Sequence, residues 1–232
     1  MSQLSPGRIF LADQHGTLAT PQSSRTSVFS FGPYQDAQRQ PLGRLLACNE
    51  ETLHGGQHLT LPAAQAAYCV VLPLTGEVNC AADGKPALVQ VEQVWVATLP
   101  EGEVLRLRNP YAAEAVRFLH LWVAAEPLAQ PTPATISSYT FAQLENGLAE
   151  LLRPAGPWPF GLSLGRFVGR QEEVYRSGSE QALFFAYVLA GAFEVEGRLL
   201  HAQDGLALWQ VREAELEALS NNALVLILEV PQ

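Results

Sequence analysis

The segment Val70–Val78 (VVLPLTGEV) decides the fold class of this chain, because a similar segment, Phe185–Phe193 (FAYVLAGAF), follows it. Each segment reads as an apolar strand that runs into a hairpin centred on a glycine, at Gly76 and at Gly191. Continuous apolar strands of this kind are typical of sheets that are covered on both faces. The segment therefore predicts a layered β structure that occurs twice.

A second pair of segments supports an internal repeat. Val91–Val96 (VEQVWV) and Gln203–Leu208 (QDGLAL) are separated by a little over 110 residues, as are the first two segments. Concordant offsets favour a tandem repeat of one β unit. The alternative is coincidence among apolar β segments. Further runs of strand length, such as Val116–Val123 and Ala182–Leu189, agree with an all-β chain.

Composition agrees with this fold class and limits the function. The 232 residues are 48% hydrophobic and only 16% charged, with 18 glycines and 16 prolines, as expected for short strands joined by tight turns. The formal net charge is −9 and no basic cluster is present, so we expect neither direct nucleic-acid binding nor docking on anionic membranes.

The cysteines and the N-terminal sequence indicate a reduced compartment. Cys48, Cys69 and Cys80 show no C-x-x-C spacing, which predicts neither a disulfide framework nor a zinc site. The segment Met1–Arg8 lacks the apolar core of a signal peptide, and no apolar stretch approaches the ~20 residues of a membrane span. We expect a cytoplasmic protein.

The middle of the chain predicts a connection between two domains. Residues 126–133 are rich in proline and read as a linker, and Phe141–Leu152 (FAQLENGLAELL) spaces its apolar residues as an amphipathic helix does. Gly147 weakens that helix by up to ~1 kcal/mol relative to alanine. The predicted division is residues 1–125, a linker with a short helix over 126–160, and residues 161–232.

Several motifs resemble those of a known family, in the family's order. They are Phe29–Tyr34 (FSFGPY), Gly43–Glu50 (GRLLACNE), the glycine turn Gly55–Gly56, Asp204–Trp209 (DGLALW) and Leu226–Pro231 (LILEVP). The chain resembles the pirin family, specifically the bacterial pirin-like bicupins related to quercetin 2,3-dioxygenases. The resemblance implies two tandem cupin barrels of the jelly-roll type, the first ending near residue 125.

The resemblance also implies a metal site that this sequence lacks. Family members hold one metal in the N-terminal cupin through an H-P-H motif, followed by a third histidine and a glutamate. Here the H-P-H motif is replaced by Leu61-Pro62-Ala63. The other two ligand positions fall near Val104 or Leu105 and near Arg106 or Leu107. All four ligands are therefore predicted to be missing, and we expect no cofactor.

A relocated metal site is the alternative. His54 and His58 form the only close histidine pair, and Glu101 and Glu103 are possible carboxylate ligands for iron, nickel or copper. Gly55 makes a helix improbable between the two histidines, so their side chains are not expected to share a helical face. We interpret them as loop residues. His120 is interpreted as a satisfied residue of an alternating strand.

A barrel without its metal can still enclose a pocket. Leu61, Ala63, Tyr68 and Trp95 are the predicted lining residues, and an apolar small molecule is the predicted ligand. Alternatively, larger side chains fill the barrel as a plain core.

The predicted function is a metal-free small-molecule-binding or protein-interaction module rather than an enzyme. A quercetinase-type dioxygenase with a relocated metal is the alternative, and a purely structural partner in a complex is also left open.

Overall fold

The computed structural model describes residues 5–82, 84–125, 132–154 and 157–232, and these residues form an almost entirely β structure. The strands of the first half are β1 (Gly7–Phe10), β2 (Gly16–Ala19), β3 (Ser23–Ser27), β4 (Leu45–Leu53), β5 (His58–Pro62), β6 (Ala67–Thr75), β7 (Glu77–Ala82), β8 (Lys85–Gln90), β9 (Gln93–Leu99), β10 (Val104–Arg108), β11 (Val116–Ala124) and β12 (Thr135–Ser138). Those of the second half are β13 (Leu148–Leu152), β14 (Gly161–Phe167), β15 (Glu172–Arg176), β16 (Leu183–Ala190), β17 (Ala192–Val195), β18 (Arg198–His201), β19 (Gly205–Leu208), β20 (Glu213–Ala218) and β21 (Ala223–Val230). Two short 3₁₀ helices cover Ala12–Gln14 and Phe141–Leu144. The predicted all-β fold class is confirmed.

The chain divides into two compact units. The N-terminal unit is His15–Ser138, and the C-terminal unit combines residues up to Gln14 with Tyr139–Gln232. Strand β1 therefore belongs to the C-terminal unit, although the sequence assigned it to the first domain. Strand β12 completes the N-terminal unit, although it lies inside the predicted linker. Residues 126–131 of that linker fall outside the described residues.

The N-terminal unit contains two antiparallel sheets. One sheet has seven strands in the order β12-β9-β6-β11-β4-β3-β2, and the other has four strands in the order β5-β10-β7-β8. Apolar side chains of both sheets form one buried cluster, which includes Val71, Trp95, Leu105 and Phe118. Burial of these side chains on folding stabilises the unit, at roughly 1.5–3 kcal/mol for each large side chain.

The C-terminal unit repeats this arrangement. Its sheets have the orders β1-β19-β16-β21-β14-β13 and β15-β20-β17-β18. Each strand from β3 to β11 has its counterpart in β13 to β21, and β1 takes the edge place beside β19 that β12 takes beside β9. Gly76 and Gly191 both have positive φ, 73° and 75°, at the equivalent hairpins. Glycine adopts this conformation without a steric penalty, so the matching turns explain the repeat in the sequence.

The predicted helix over Phe141–Leu152 is wrong. Only Phe141–Leu144 forms a 3₁₀ turn, and Leu148–Leu152 is strand β13. Asn146 has a φ of 54° and Gly147 follows it, so the helical path ends before the apolar residues Leu148 and Leu152. Pairing of β13 with β14 provides backbone hydrogen bonds there. This tertiary pairing outweighs a helical propensity that the glycine had already weakened.

Candidate functional site

The four positions where the resemblance places metal ligands lie on the paired strands β5 and β10. Leu105 of β10 lies opposite Leu61 of β5, and the backbone of Ala63 bonds to that of Glu103 just beyond the ladder. Leu61, Ala63, Leu105 and Leu107 are buried in the core cluster of the N-terminal unit. Their neighbours on β10 are partly or fully exposed, so Leu105 and Leu107 are the inward-facing positions.

The alternative metal residues do not converge. His58 lies opposite Arg108 at one end of the β5–β10 ladder, whereas Glu103 precedes Val104 at the other end. Four residues of strand separate the two ends, which is about 13 Å. His54 and Glu101 are exposed in the turns before β5 and before β10. Among the described residues, no group of three His, Cys, Asp or Glu side chains is placed to hold a metal ion.

The four predicted pocket residues are also separated. Leu61, Ala63 and Trp95 are in the core cluster. Tyr68 is buried, but its neighbours Ala67 and Cys69 on β6 face that cluster. Because successive strand residues point to opposite faces, Tyr68 faces away from the interior of the unit. Of the four, Leu61 also lines the cleft described next.

A cleft of about 560 Å³ opens in the N-terminal unit. Its lining is mostly apolar and consists of Arg25, Ser30, Phe31, Gly32, Pro33, Gln35, Pro41, Leu46, Thr60, Leu61, Pro62, Ala64, Gln65 and Trp122. The rings of Phe31 and Trp122 lie 5.7 Å apart, and the guanidinium carbon of Arg25 lies 4.9 Å from the centre of the Phe31 ring. The cleft therefore combines aromatic walls with one cationic side chain.

Polar side chains lie beside this cleft, buried between the sheets. We call Arg25, Asn49, Glu51 and His120 the buried polar row. They come from the neighbouring strands β3, β4 and β11, where Arg25 is opposite Glu51 and Asn49 is opposite His120. Arg25 and Glu51 form an ion pair in which both side chains are almost fully buried. Such a pair is stable only when each charge keeps its partner.

A hydrogen bond from Trp122 determines which ring nitrogen of His120 has the proton. The indole Nε1 of Trp122 donates a hydrogen bond of 2.9 Å to Nδ1 of His120. The neutral imidazole therefore carries its proton on Nε2, which lies 3.5 Å from Oε1 of Glu51. Burial lowers the pKa of His120 from its ordinary value, and the raising effect of Glu51 does not offset the burial. His120 is a neutral, fully buried residue.

Parts of the buried polar row have no hydrogen-bonding partner in the described part of the chain. They are both side-chain atoms of Asn49, Oε2 of Glu51 and Nε2 of His120, whose distance to Glu51 is too long for a good hydrogen bond. Most buried polar groups in native proteins are paired, so several unpaired atoms on one sheet face are unusual. These atoms therefore keep unused hydrogen-bonding capacity inside the N-terminal unit.

The C-terminal unit has a pocket of about 370 Å³ with different chemistry. Glu229 is buried there and accepts hydrogen bonds from the Tyr175 hydroxyl (2.8 Å) and the Gly178 amide (3.1 Å). Burial, and then the hydrogen bond to Glu229, raises the pKa of Tyr175. These hydrogen bonds connect β15 and the turn that follows it to β21.

Comparison with known proteins identifies the scaffold. Residues 161–230 match the family described as the quercetinase C-terminal cupin domain. Two Escherichia coli structures are similar over nearly the whole chain. YhhW has a TM-score of 0.85 at 18% identity and covers 97% of this chain and 98% of its own. The bacterial pirin YhhW in complex with nickel(II) has a TM-score of 0.83 at 17% identity, covering 97% and 99%.

The chain is a bicupin with a pirin-like fold. Quercetin 2,3-dioxygenase from Acinetobacter baumannii has the same fold, with a TM-score of 0.72 at 16% identity, and the match covers 97% of this pirin-like bicupin and 85% of the dioxygenase. No curated protein matches the chain at a significant level. In the described residues, no helix is long and apolar enough to cross a membrane.

The side chains of this pirin-like bicupin do not fit a metal at the family's ligand positions. Leu61, Ala63, Leu105 and Leu107 carry only aliphatic groups, which have no lone pair to donate. Glu51 in the buried polar row is already paired with Arg25, so the row offers no net negative charge to a divalent cation. The chemistry proposed below therefore uses no metal.

The buried polar row has a signal in the sequence, although Asn49 is its only member within the family motifs quoted above. Ala47 and Leu53 on β4 are in the core cluster. Asn49 and Glu51 lie between them at the same alternation, so they must face the same side. Along β11, His120 similarly lies between two aromatic core residues. Polar residues in phase with an apolar face are therefore the pattern that indicates the row.

Proposed function

We propose that this pirin-like bicupin is a metal-independent small-molecule-binding protein whose ligand occupies the cleft of the N-terminal unit. The observation that carries the proposal is the cleft of about 560 Å³ with an aromatic pair, Phe31 and Trp122, in its lining. Ligand pockets generally measure about 300–1,000 Å³ and are mostly apolar with a few polar groups. Flat aromatic compounds suit such walls because their rings stack against Phe and Trp.

The donor set of the protein supports binding rather than dioxygenase chemistry. Dioxygenases of the cupin type need a metal with open positions, and the ligand positions here are aliphatic. The thiols of the N-terminal unit are also unsuited to nucleophilic catalysis. Cys48, Cys69 and Cys80 are buried, and burial raises the pKa of each thiol, which keeps the thiols protonated.

A variant that fills the cleft tests the proposal. Thr60 is an exposed strand residue in the cleft lining, so Thr60→Trp adds a ring there without removing core contacts. We expect 2-naphthol to bind the wild-type protein and to bind Thr60→Trp at least tenfold more weakly, as measured by calorimetric titration. Thr17→Trp, on the exposed strand β2 outside the cleft, is the matched control and should bind as wild type does.

Equal binding by wild type and Thr60→Trp would remove the cleft as the binding site. Lack of binding by wild type to 2-naphthol or any other aromatic compound tested would instead favour a protein-interaction module. The dioxygenase alternative has its own measurement. Stoichiometric iron, nickel or copper in protein purified without chelators, together with oxygen-dependent turnover of a flavonol, would overturn the proposal.

A further inference from the structure

The unpaired atoms of the buried polar row lie on one strand face next to the cleft. Asn49 and Glu51 are two residues apart on β4, which separates them by roughly 7 Å along the strand. Both are fully buried, with exposed fractions of 0%. Within the described residues, neither the Asn49 amide nor Oε2 of Glu51 has a hydrogen-bonding partner. A buried amide and a buried carboxylate oxygen that stay unpaired destabilise the protein, so they are suited to an incoming group.

The charges of the row define what can enter. The guanidinium of Arg25 and the carboxylate of Glu51 neutralise each other, and His120 is neutral with its proton on Nε2. An anionic ligand would lie beside Glu51 without a free cation, and a cationic ligand would lie beside Arg25. Burial of an uncompensated charge is strongly unfavourable. The row therefore favours an uncharged ligand group.

The hydrogen-bonding capacity of the row defines the group further. The Asn49 side chain offers donors on Nδ2 and an acceptor on Oδ1, and Glu51 offers an acceptor on Oε2. A primary carboxamide matches all of these. Its carbonyl oxygen accepts from Nδ2 of Asn49, one of its N–H groups donates to Oδ1, and the other donates to Oε2 of Glu51.

We infer that the ligand of the cleft is an uncharged aromatic compound bearing a primary carboxamide, whose amide group binds Asn49 and Glu51 in the buried polar row. This inference rests on the proposed function, because the aromatic part of the ligand occupies the cleft. It adds the chemical class of the ligand and assigns Asn49 as the residue that determines specificity.

Phe31 controls access to the row. Its ring lines the cleft and packs edge-on against His120 with ring centres 5.6 Å apart. Phe31 lies in the connection between β3 and β4, outside the strands, and is partly exposed. The next residue, Gly32, has a φ of 57°. Entry of the amide group requires the Phe31 ring to turn away from His120, and a loop position permits this movement more readily than a strand does.

Two isosteric probes test the inference on the full chain. Benzamide and acetophenone differ only by an amino group in place of a methyl group, so their affinities compare the N–H donors directly. We expect wild type to bind benzamide at least tenfold more tightly than acetophenone in calorimetric titrations. Benzoate, which is anionic, should bind more weakly than benzamide.

Variants at Asn49 test whether this side chain causes the difference in affinity between benzamide and acetophenone. Asn49→Leu keeps the shape of the side chain and removes its polar atoms, so benzamide affinity should fall towards that of acetophenone, whereas acetophenone, which loses only the hydrogen bond to its carbonyl oxygen, should weaken less. Asn79→Leu, on β7 of the same unit, is the matched control and should behave as wild type. If Asn49→Leu does not fold, Asn49→Ser is used instead, because serine occurs at the equivalent position of the C-terminal unit. The C-terminal unit has Ser163 at the matching place, opposite Ile227 as Asn49 is opposite His120.

The outcomes separate the inference from the proposed function. Equal binding of benzamide and acetophenone, or an unchanged preference in Asn49→Leu, would overturn the inference while leaving the cleft as an aromatic-binding site. Tighter binding of benzoate than of benzamide would also overturn it. Failure of 2-naphthol, benzamide and acetophenone alike would reject the proposed function itself.

Discussion

His120 of the N-terminal unit and Ile227 of the C-terminal unit occupy equivalent places. His120 lies opposite Val71 on the central strand pair, and Ile227 lies opposite Ala186 on the equivalent pair. The same framework therefore holds a polar residue in one unit and an apolar residue in the other. The strand order does not determine which side chains fill the space between the sheets.

Arg25 and Glu51 differ from their counterparts in the same direction, whereas the counterpart of Asn49 is the polar Ser163. The register of the sheets places Arg25 and Glu51 where the C-terminal unit has Leu148 and Gly165. The Phe167 ring fills the space there, because a Cβ at Gly165 would lie 2.6 Å from that ring. The C-terminal unit therefore has no counterpart of the buried Arg25–Glu51 ion pair, although it too has a pocket, whose buried carboxylate is that of Glu229.

The largest expected effect comes from breaking the ion pair that the C-terminal unit lacks. Arg25→Leu leaves the Glu51 carboxylate buried without its cation, which should lower the free energy of unfolding by about 3–5 kcal/mol in urea titrations. Arg153→Leu is the control, because Arg153 pairs with Glu150 on the surface. Its replacement should lower the free energy of unfolding by less than ~1 kcal/mol. A loss of less than ~1 kcal/mol for Arg25→Leu would show that the pair is not essential.

A polar residue introduced into the C-terminal unit should lower the free energy of unfolding somewhat less. Ile227→His places an imidazole in the apolar core of the C-terminal unit without the indole donor that His120 has. Lost apolar burial and an unpaired polar group should together lower the free energy of unfolding by about 3 kcal/mol. Thermal unfolding measures this change. Unchanged stability would mean that the C-terminal core accepts polar groups as readily as the N-terminal one does.

The buried His120 should make stability depend on pH. Its pKa is lowered from the ordinary value of 6.5, so below about pH 6.5 the unfolded chain binds a proton that the folded protein does not. The free energy of unfolding should therefore fall as the pH decreases, by at most ~1.4 kcal/mol per pH unit from this residue. His120→Gln should flatten the curve between about pH 7 and pH 5 in urea titrations.

His54→Gln, at an exposed histidine, is the control for that experiment and should leave the curve unchanged. A constant offset between wild type and His120→Gln over this pH range would contradict the prediction. So would a wild-type stability that rises as the pH falls.

The smallest effect is a gain in stability. Asn49→Leu removes a buried amide without partners and replaces it with an apolar group of the same shape. Such replacements are nearly neutral or stabilising, and we expect a gain of up to ~1 kcal/mol by thermal unfolding. A loss above ~1 kcal/mol would indicate that Asn49 supports the fold. The gain, with the loss of amide binding proposed above, would show that function and stability conflict at this residue.

The repeat and the β class were predictable from the sequence because local signals were sufficient for both. The hairpins at Gly76 and Gly191 require a positive φ that glycine provides, and both formed as expected. The helix over Phe141–Leu152 failed because its apolar spacing also fits a strand, and pairing with β14 decided the outcome. Such pairing is a long-range interaction that a local pattern cannot report.

The site was less predictable than the fold. The sequence left open whether Leu61 and Ala63 line a pocket or belong to a filled core, and both lie in the core cluster of the N-terminal unit. Tyr68 was predicted to line a pocket, but it lies between the inward-facing Ala67 and Cys69 on β6 and therefore faces outward. The sequence did not predict that β1 belongs to the C-terminal unit or that β12 belongs to the N-terminal unit. Short edge strands have few apolar positions that would indicate a partner strand.

The place of β1 has a consequence for protein synthesis. Gly7 pairs with Leu208, about 200 residues further along the chain. At roughly 5–20 residues per second, the ribosome makes the partner strand about 10–40 s after β1. Strand β1 must therefore remain without its partner while the N-terminal unit is being made, and it can pair only when β19 appears.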